Sequence, residues 1–255
     1  MKCLGVDYDG TLRRGESVSQ RNKEAIQRWR ESGNIFGIVS GRSLQSLLGE
    51  LAKNEIEADF IITNNGGVLS NSKGGIESVE AFDINTVFEL TNYIKGIDCV
   101  SYVLNNGDVR SKHVIKEDVI DEKYGNLEAM LSEQELLDEG IIAQIVIALE
   151  NNDHNIEYAD YINEHFQNRA IAFPNHQCVD IVPFHCSKAA GLAKVVSEYA
   201  IDEADVVVVG DHYNDISMLE RFKGYTFEDS PLPIKDIAFA LVEEVADAID
   251  LTLKG

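Results

Sequence analysis

The sequence predicts an α/β fold in which a parallel-sheet core is interrupted by an inserted α+β domain. Short apolar runs alternate with amphipathic helical segments in residues 1–82 and again in 185–255, as expected for a parallel sheet flanked by helices. Between 83 and 184 the pattern changes to helices followed by pairs of strands, which is typical of an α+β domain. A chain of 255 residues is long enough for both domains.

The composition indicates an ordered and strongly acidic globular protein. Hydrophobic residues make up 44% of the chain, and 44 acidic side chains against 22 basic ones give a formal charge of −22. This charge repels nucleic acid and anionic membrane surfaces, so we expect neither as a partner. It also repels a phosphorylated substrate, and therefore any phosphate site must be built from local positive groups.

The cysteines and the amino terminus indicate a cytoplasmic protein. Cys3, Cys99, Cys178 and Cys186 lack metal-binding spacing, which favours free thiols in a reducing cytosol. The first apolar run is interrupted by Asp7 and is too short for a signal peptide. The other apolar runs are too short to cross a bilayer.

The first predicted strand, 3–6, leads directly into the acidic turn Asp7-Tyr8-Asp9-Gly10-Thr11-Leu12. Its two carboxylates would emerge at the carboxyl end of the strand, where open α/β sheets bind their ligands. Paired acidic groups there suit a hard cation, or a nucleophile beside a proton donor. Taken alone, the motif is equally compatible with an Asp-Gly turn and a solvated carboxylate.

Two further predicted strands in this half also end in polar residues. The run at 35–39 leads into Ser40-Gly41-Arg42, where the glycine lets backbone amides approach an anion, although a serine before a helix usually serves only as a cap. The run at 59–63 leads into Asn64-Asn65-Gly66-Gly67, which favours a hairpin turn, although Asn65 is also a candidate for the site. Helices are predicted at 19–32, with Ser19 as the N-cap, and at 43–53.

The insert and the carboxyl-terminal part complete the predicted elements. In the insert, helices are predicted at 84–94, in the acidic stretch up to Glu139, and at 153–166. Its strands are predicted at 99–104, 109–115, 141–149, 170–173 and 178–183. After the insert come a helix that begins at Ser187, a strand at 205–209, a short strand near 225–227, a turn at Pro231 and Pro233, and an amphipathic helix at 242–253.

The carboxyl-terminal part supplies the remaining candidate residues. Lys188 lies in the first turn of its helix, where the helix dipole disfavours a cation, so this position requires either an anionic partner or a side chain whose tip is solvated. The strand at 205–209 ends in Gly210-Asp211-His212-Tyr213-Asn214-Asp215, and Asp215 would lie on the same side as Asp211. If the sheet is parallel, all these groups meet at one edge, with a metal end and a phosphate end. The predicted Mg²⁺ and Lys188 then supply the positive charge that the acidic chain lacks.

Four motifs in this order resemble those of the haloacid dehalogenase-like phosphatases, in particular the Cof-type sugar-phosphate hydrolases with a type IIB cap. They are DYDGT at 7–11, VSGR at 39–42, Lys188 in CSKAAGL, and GDHYND at 210–215. The resemblance covers essentially the whole chain and implies a Rossmann-like core with a cap at 83–184. It also implies a phosphoric monoester hydrolase that acts on a small phosphorylated metabolite.

The resemblance implies a role for each matching residue. Asp7 would be the nucleophile that becomes an aspartyl phosphate, and Asp9 the acid that protonates the leaving group and then activates water. Mg²⁺ would be held by the Asp7 carboxylate, the Asp9 backbone carbonyl and Asp211, with Asp215 nearby. The residues implied to contact phosphate or substrate are Gly10, Ser40, Gly41, Arg42, Lys188 and Asn214.

The substrate class and two alternative functions remain open at this stage. The insert carries 19 acidic and six basic side chains, which favours a neutral leaving group such as a sugar over a second phosphate. One alternative is a phosphomutase of the same superfamily, which would need a bisphosphate activator. The other is a regulatory domain that binds a phosphorylated ligand without turnover.

Overall fold

The computed structural model describes residues 1–121, 124–127 and 131–254. These form two units, one of Met1–Ser78 with Ser187–Gly255 and one of Val79–Cys186. The strands, in chain order, are β1 (Cys3–Val6), β2 (Ile35–Val39), β3 (Phe60–Thr63), β4 (Val68–Asn71), β5 (Ile76–Val79), β6 (Ser101–Asn105), β7 (Arg110–Val114), β8 (Gln144–Ala148), β9 (Ala170–Asn175), β10 (Cys178–Pro183), β11 (Val206–Val209), β12 (Lys223–Phe227) and β13 (Ala240–Val242). The helices are α1 (Gln20–Glu31), α2 (Leu44–Asn54), α3 (Ile84–Ile94), α4 (Glu133–Glu139), α5 (Asn155–His165), α6 (Lys188–Glu198), α7 (Ile216–Arg221), α8 (Leu232–Ile237) and α9 (Val245–Lys254).

β1 lies near the centre of the eight-stranded sheet of the first unit, between β11 and β2 and parallel to both. The strand order is β13-β12-β11-β1-β2-β3-β4-β5, and the pairs from β13 to β3 are parallel, whereas β4 runs antiparallel to β3. The predicted α/β fold with a parallel-sheet core is confirmed. Because the carboxyl ends of parallel strands meet at one edge, the residues that follow β1, β2 and β11 emerge side by side.

Helices cover both faces of this sheet, which explains why its central strands are continuous apolar runs. One face packs against α1, α2 and α9, and the other against α6, α7 and α8. In β11, Val207 and Val209 lie in the first core, and Val206 and Val208 lie in the second. Among the described residues, no helix is both long and apolar enough to span a membrane.

Serine N-caps fix where two of these helices begin. The Oγ of Ser19 accepts a hydrogen bond from the amide of Asn22 at 3.2 Å, so α1 begins where the sequence predicted. Ser187 caps α6 in the same way and accepts from the amide of Ala190 at 3.1 Å. The cap makes Lys188 the first residue of α6.

The second unit contains a five-stranded sheet in the order β7-β6-β8-β10-β9. All four neighbouring pairs are antiparallel. Helices α3, α4 and α5 pack on one face, where alternate residues of the strands form a separate hydrophobic core. An antiparallel sheet with helices on one face is the α+β architecture expected for the insert.

The acidic stretch before Glu139 was predicted to be helical, and most of that prediction is wrong. Residues 116–121 and 124–127 form turns and irregular structure, whereas the residues at 122–123 and 128–130 lie outside the described part of the chain. Among the residues of this stretch that the structure describes, the helical ones are Glu133–Glu139, and a capping box between Ser132 and Glu135 defines where this helix begins.

Two predictions near the carboxyl terminus also need correction. Pro231 and Pro233 do not form a simple turn: Pro231 is the N-cap of α8, and Pro233 lies in its first turn, where no intrahelical N–H is needed. The amphipathic pattern from 242 to 253 joins two elements, because Ala240–Val242 is the edge strand β13 and the helix begins only at Val245.

Candidate active site

Asp7 and Gly10 build the first part of the candidate site. The amide of Asp7 donates to the carbonyl of Val209 at 3.0 Å, and the Asp7 side chain is buried at the end of the sheet. Gly10 turns the chain with a φ of +83°, a conformation that residues with a Cβ rarely adopt. A Cβ at Gly10 would lie only 2.4 Å from Oδ2 of Asp211. The glycine therefore allows the Asp7 loop to pack directly against Asp211.

Asp211 and Asp215 are held by the loop that follows β11. Oδ2 of Asp215 accepts hydrogen bonds from the amides of Asp211 and His212, both at 3.0 Å. The hydroxyl of Thr11 donates to Oδ1 of Asp211 at 2.5 Å and ties this loop to the one after β1. No role was predicted for Thr11 from the sequence, although it lies within the DYDGT motif.

Lys188 joins two of the carboxylates. Its Nζ donates to Oδ1 of Asp7 and to Oδ1 of Asp215, both at 2.6 Å, and the lysine is fully buried. Burial opposes the positive charge, but the carboxylates of Asp215 and Asp7 raise the pKa of Lys188 above its usual value. The lysine at the start of α6 therefore has the anionic partners that its position requires.

Close packing of two backbones positions α6. A Cβ at Gly66, in the turn between β3 and β4, would lie 2.0 Å from the carbonyl oxygen of Ser187. A Cβ at Gly191 would lie 3.0 Å from the Cα of Gly66. Glycine at both positions lets the first turn of α6 approach the β3–β4 turn, so that Lys188 reaches Asp7.

Two buried aspartates, Asp7 and Asp215, and the partly buried Asp211 fit a hard cation. Asp7, Asp211 and Asp215 each offer a carboxylate oxygen, and these oxygens lie within 4.8 Å of one another. Burial, together with the neighbouring carboxylates, raises the pKa of Asp211 to about 6 and that of Asp7 well above its usual value. Three carboxylates against one lysine form an oxygen-rich site that suits Mg²⁺. Asp9 was predicted to contribute only its backbone carbonyl.

Asp9 points its carboxylate toward two arginines. Arg42 forms a bidentate pair with it, with Nε at 2.5 Å from Oδ2 and Nη2 at 2.9 Å from Oδ1. Arg13 adds a third contact, from Nη2 to Oδ1 at 2.6 Å. Burial raises the pKa of Asp9, but the bonds from Arg42 and Arg13 outweigh it and lower that pKa. Arg42, predicted to contact phosphate or substrate, is thus paired with Asp9, and the role of Arg13 was missed.

The remaining predicted residues lie around Asn65. Ser40 is buried, and its Oγ accepts from the amide of Arg42 at 3.2 Å. Asn214 donates from Nδ2 to Oδ1 of Asn65 at 3.0 Å, and the amide of Asn65 donates to the Ser40 carbonyl at 3.1 Å. A Cβ at Gly41 would lie 3.0 Å from the same Oδ1. Asn65 thus connects Ser40, Gly41 and Asn214.

The turn that carries Asn65 is a hairpin connection between β3 and β4, as predicted. Asn64, Asn65 and Gly66 have φ values of +52°, +51° and +100°, which asparagine and glycine tolerate better than other residues. The turn thus combines hairpin geometry with a buried asparagine at the site, so the two roles considered for Asn65 are compatible.

Comparison with known proteins identifies the family. A family model described as haloacid dehalogenase-like hydrolase matches residues 4–247. The chain belongs to this family. The resemblance to its Cof-type phosphatases, inferred from the four motifs, is confirmed, and so is the assignment of the hydrolase as an enzyme of the phosphatase type.

Several relatives of this hydrolase are named as phosphatases. It is 28% identical to 5-amino-6-(5-phospho-D-ribitylamino)uracil phosphatase YbjI of Escherichia coli over 100% of this chain and 97% of that protein. It is 24% identical to 5-amino-6-(5-phospho-D-ribitylamino)uracil phosphatase YwtE of Bacillus subtilis, over 86% of this chain and 85% of that one.

Solved structures share the fold over nearly the whole length. A haloacid dehalogenase-like hydrolase from B. subtilis superposes with a TM-score of 0.82 at 19% identity and covers 98% of this chain and 99% of its own. The subclass IIB sugar phosphatase BT4131 superposes with a TM-score of 0.81 at 17% identity and covers 98% of each chain. At such low identity these two structures support the fold alone.

Proposed function

We propose that this hydrolase is a Mg²⁺-dependent phosphatase that cleaves small phosphomonoesters, sugar phosphates in particular, through an aspartyl phosphate on Asp7. The observation that carries the proposal is the position of the Asp7 carboxylate, buried at the sheet edge between Lys188 and two further aspartates. A carboxylate in such a site has both a nucleophilic oxygen and a neighbouring cation that can neutralise a phosphoryl group.

The first half-reaction would transfer the phosphoryl group to the enzyme. An Oδ of Asp7 attacks phosphorus, and the bond from phosphorus to the ester oxygen breaks. Asp9, which must be protonated at this step although Arg42 and Arg13 lower its pKa in the absence of substrate, gives its proton to that oxygen. Lys188 and the backbone amides near Gly10 and Gly41 would neutralise and orient the phosphoryl oxygens, together with Ser40 and Asn214.

The second half-reaction would regenerate the enzyme. Asp9, now a carboxylate, takes a proton from water while the water oxygen attacks phosphorus and the bond to Asp7 breaks. Inorganic phosphate leaves, and Asp7 and Asp9 return to their starting states. One carboxyl group thus serves first as acid and then as base.

The three-aspartate group supports the proposed metal. Mg²⁺ would be held by Asp7, Asp211, the backbone carbonyl of Asp9 and, directly or through water, Asp215. When bound, the ion supplies positive charge to the phosphoryl oxygens. Its charge also offsets the repulsion among carboxylates that lie within 4.8 Å of one another.

The insert supports the proposed substrate class. We propose that 83–184, which lies within the unit Val79–Cys186, acts as the cap and selects the leaving group. Its excess of acidic side chains favours a neutral polyol over a second phosphate. The substrates in the names of the YbjI and YwtE relatives, which carry a phosphorylated ribityl chain, are compatible with this class. All four cysteines are buried thiols outside any disulfide, which supports the cytoplasmic location that we propose with it.

The direct test is hydrolysis of p-nitrophenyl phosphate by the purified protein with Mg²⁺, beside the Asp7→Asn variant. We expect turnover by the wild type and a loss on the order of 10⁴-fold or more in the variant, because the nucleophile is removed. Equal rates in the two proteins would contradict the assignment of Asp7. No turnover on any phosphomonoester would favour the binding domain, and a requirement for a bisphosphate activator would favour the mutase.

A panel of phosphorylated metabolites, assayed for phosphate release, then tests the substrate class. We expect sugar and polyol monophosphates to have higher kcat/KM than bisphosphates. A preference for bisphosphates would contradict the argument from the charge of the insert.

A further inference from the structure

A group of side chains next to Asp9 has no part in the mechanism so far. Tyr8 lies between the two aspartates of the DYDGT motif, yet its ring is fully buried and points away from them into the core between the sheet and its helices. The guanidinium groups of Arg13 and Arg42 lie 5.6 and 5.7 Å from the centre of this ring. The tyrosine thus supports both arginines that hold Asp9.

The Tyr8 hydroxyl is itself fixed by α2. Asn54 donates from Nδ2 to this oxygen at 2.9 Å, and the hydroxyl lies 3.3 Å from Oε2 of Glu50. The same Oε2 lies 3.5 Å from Nη1 of Arg13. Arg13 is therefore held between Glu50 on one side and Asp9 on the other.

The backbone makes the contact between Arg13 and Asp9 local and rigid. The amide of Gly10 donates to the carbonyl of Arg13 at 3.1 Å, and the amide of Arg13 donates to the carbonyl of Tyr8 at 2.8 Å. Arg13 is only 23% exposed, and its Nε is buried without a hydrogen-bond partner among the described residues. A buried donor without a partner costs free energy, so the side chain is constrained to this position by its other contacts.

We propose that Arg13 is a positioning residue that, together with Tyr8 and Glu50, directs the Asp9 carboxyl group for proton transfer to the leaving oxygen. This inference rests on the proposed function, because it assumes that Asp9 is the acid and is protonated when substrate is bound, although Arg42 and Arg13 lower its pKa in the absence of substrate. In the proposed mechanism Arg13 does not contact the phosphoryl group, and it contacts the carboxylate of Asp9 rather than the backbone carbonyl proposed to hold the metal. Its effect should therefore depend on how much the leaving group needs a proton.

Esters with different leaving groups can distinguish this positioning role from a general structural role of Arg13. A p-nitrophenolate leaves readily as an anion, whereas the alkoxide of glycerol 2-phosphate needs a proton as the ester bond breaks. The ratio kcat/KM covers the steps up to the first irreversible bond cleavage, and therefore excludes hydrolysis of the shared aspartyl phosphate. A misplaced Asp9 should lower kcat/KM for the alkyl ester and leave the aryl ester nearly unchanged.

The experiment compares both esters in the wild type, Arg13→Met, Arg13→Lys and Asp9→Asn. General acid catalysis contributes about 10²–10⁴-fold, so we expect Arg13→Met to lose about 10-fold or more on glycerol 2-phosphate and less than about 3-fold on p-nitrophenyl phosphate. Arg13→Lys, which keeps the charge, should recover part of the alkyl activity. Asp9→Asn should show the same selectivity with a larger loss.

The neighbouring arginine provides a matched control. Arg14 pairs with Asp229 at 2.5 Å and, among the described residues, forms no ion pair with Asp9. Arg14→Met should therefore keep the wild-type ratio between the two esters. Tyr8→Phe keeps the ring but removes the hydroxyl that bonds Asn54 and Glu50, so we expect a smaller selective loss of alkyl activity.

Three outcomes decide the matter. Selective loss in Arg13→Met, with partial recovery in Arg13→Lys, supports the proposal. If Asp9→Asn is selective but Arg13→Met and Tyr8→Phe lower both esters equally or lower neither, the positioning role is wrong and the proposed function stands. If Asp9→Asn lowers both esters equally, or the wild type hydrolyses neither, the acid role of Asp9 fails and this proposal fails with it.

Discussion

Gly10 illustrates how a single residue determines the geometry of the site. It must adopt a φ of +83° and also leave room for the Asp211 carboxylate, whereas Gly33 has a φ of +78° and a Cβ there would meet no described atom within 4 Å. We expect Gly33→Ala to lower the free energy of unfolding by about 1–2 kcal/mol through backbone strain alone. Gly10→Ala should lower the free energy of unfolding by about 1–3 kcal/mol more than Gly33→Ala does, because the added Cβ clashes with the Asp211 carboxylate. If the two variants lose the same stability in urea denaturation, the close approach to Asp211 makes no difference to the stability of the fold.

Asp121 gives a pH-dependent prediction in the second unit. Its carboxylate accepts from Ser101 Oγ at 2.5 Å and from the Tyr124 amide at 2.7 Å, and lies 3.0 Å from Lys112 Nζ. Burial raises the pKa of Asp121, but these three partners outweigh it and lower that pKa. Because the pKa of Asp121 is lower in the folded state, its ionised carboxylate stabilises the fold at pH values above the unfolded-state pKa of about 3.9. This stabilisation is lost as the pH falls below that value and through the folded-state pKa.

The matched variant is Asp121→Asn. At pH 7 we expect the free energy of unfolding of this variant to be about 1–3 kcal/mol lower than that of the wild type, because the partners of Asp121 lose a charged acceptor. The difference in the free energy of unfolding between the two proteins should become smaller as the pH falls from about 5 toward about 3, because only the wild type has a carboxylate at position 121 that becomes protonated. Denaturant titrations at several pH values measure it, and a difference that does not vary with pH would contradict the assignment.

At the scale of elements, the N-cap of α6 links stability to chemistry. Ser187→Ala removes the bond to the Ala190 amide and should cost about 1 kcal/mol, as should Ser19→Ala at the start of α1. Only the first change loosens the turn that carries Lys188. We therefore expect similar losses of stability but a fall in kcat/KM for p-nitrophenyl phosphate only in Ser187→Ala. Equal activity in the two variants would mean that the cap does not position the lysine.

The elements of the core could be predicted because their signals are local. The run Val206-Val207-Val208-Val209 is typical of a strand buried on both faces, and Ser19 and Ser187 mark helix starts. The acidic stretch after Lys116 was misleading, since its described residues up to 127 form turns and irregular structure. β13 was hidden because three residues, Ala240–Val242, are too few for a periodic pattern.

The candidate site could be predicted from the sequence only in part. Asp7, Lys188, Asp211 and Asp215 could be brought together on paper because parallel strands end at one edge. The pairing of Asp9 with Arg13 and Arg42 could not, because it depends on the exact course of the turn after β1. The roles of these residues in catalysis remain predictions.

At the scale of the whole molecule, the formal charge of −22 should oppose the arrival of an anionic substrate. Salt screens this repulsion, with a Debye length that falls from about 30 Å at 0.01 M to about 10 Å at 0.1 M. At saturating Mg²⁺ we expect kcat/KM for glycerol 2-phosphate to rise as NaCl is added over this range. A steady fall would mean that local positive groups, not the overall charge, control substrate association.

The central claim is that the phosphoryl group of the substrate is transferred to the carboxylate of Asp7. Asp9→Asn should slow the release of phosphate from the enzyme while still allowing p-nitrophenolate to leave, so the intermediate should accumulate. Borohydride reduction of the quenched reaction, followed by peptide mass spectrometry, measures it because an aspartyl phosphate is reduced to homoserine. The proposed mechanism predicts homoserine at position 7 only when substrate is present. A burst of p-nitrophenolate with unmodified Asp7, or with homoserine at another position, would contradict it.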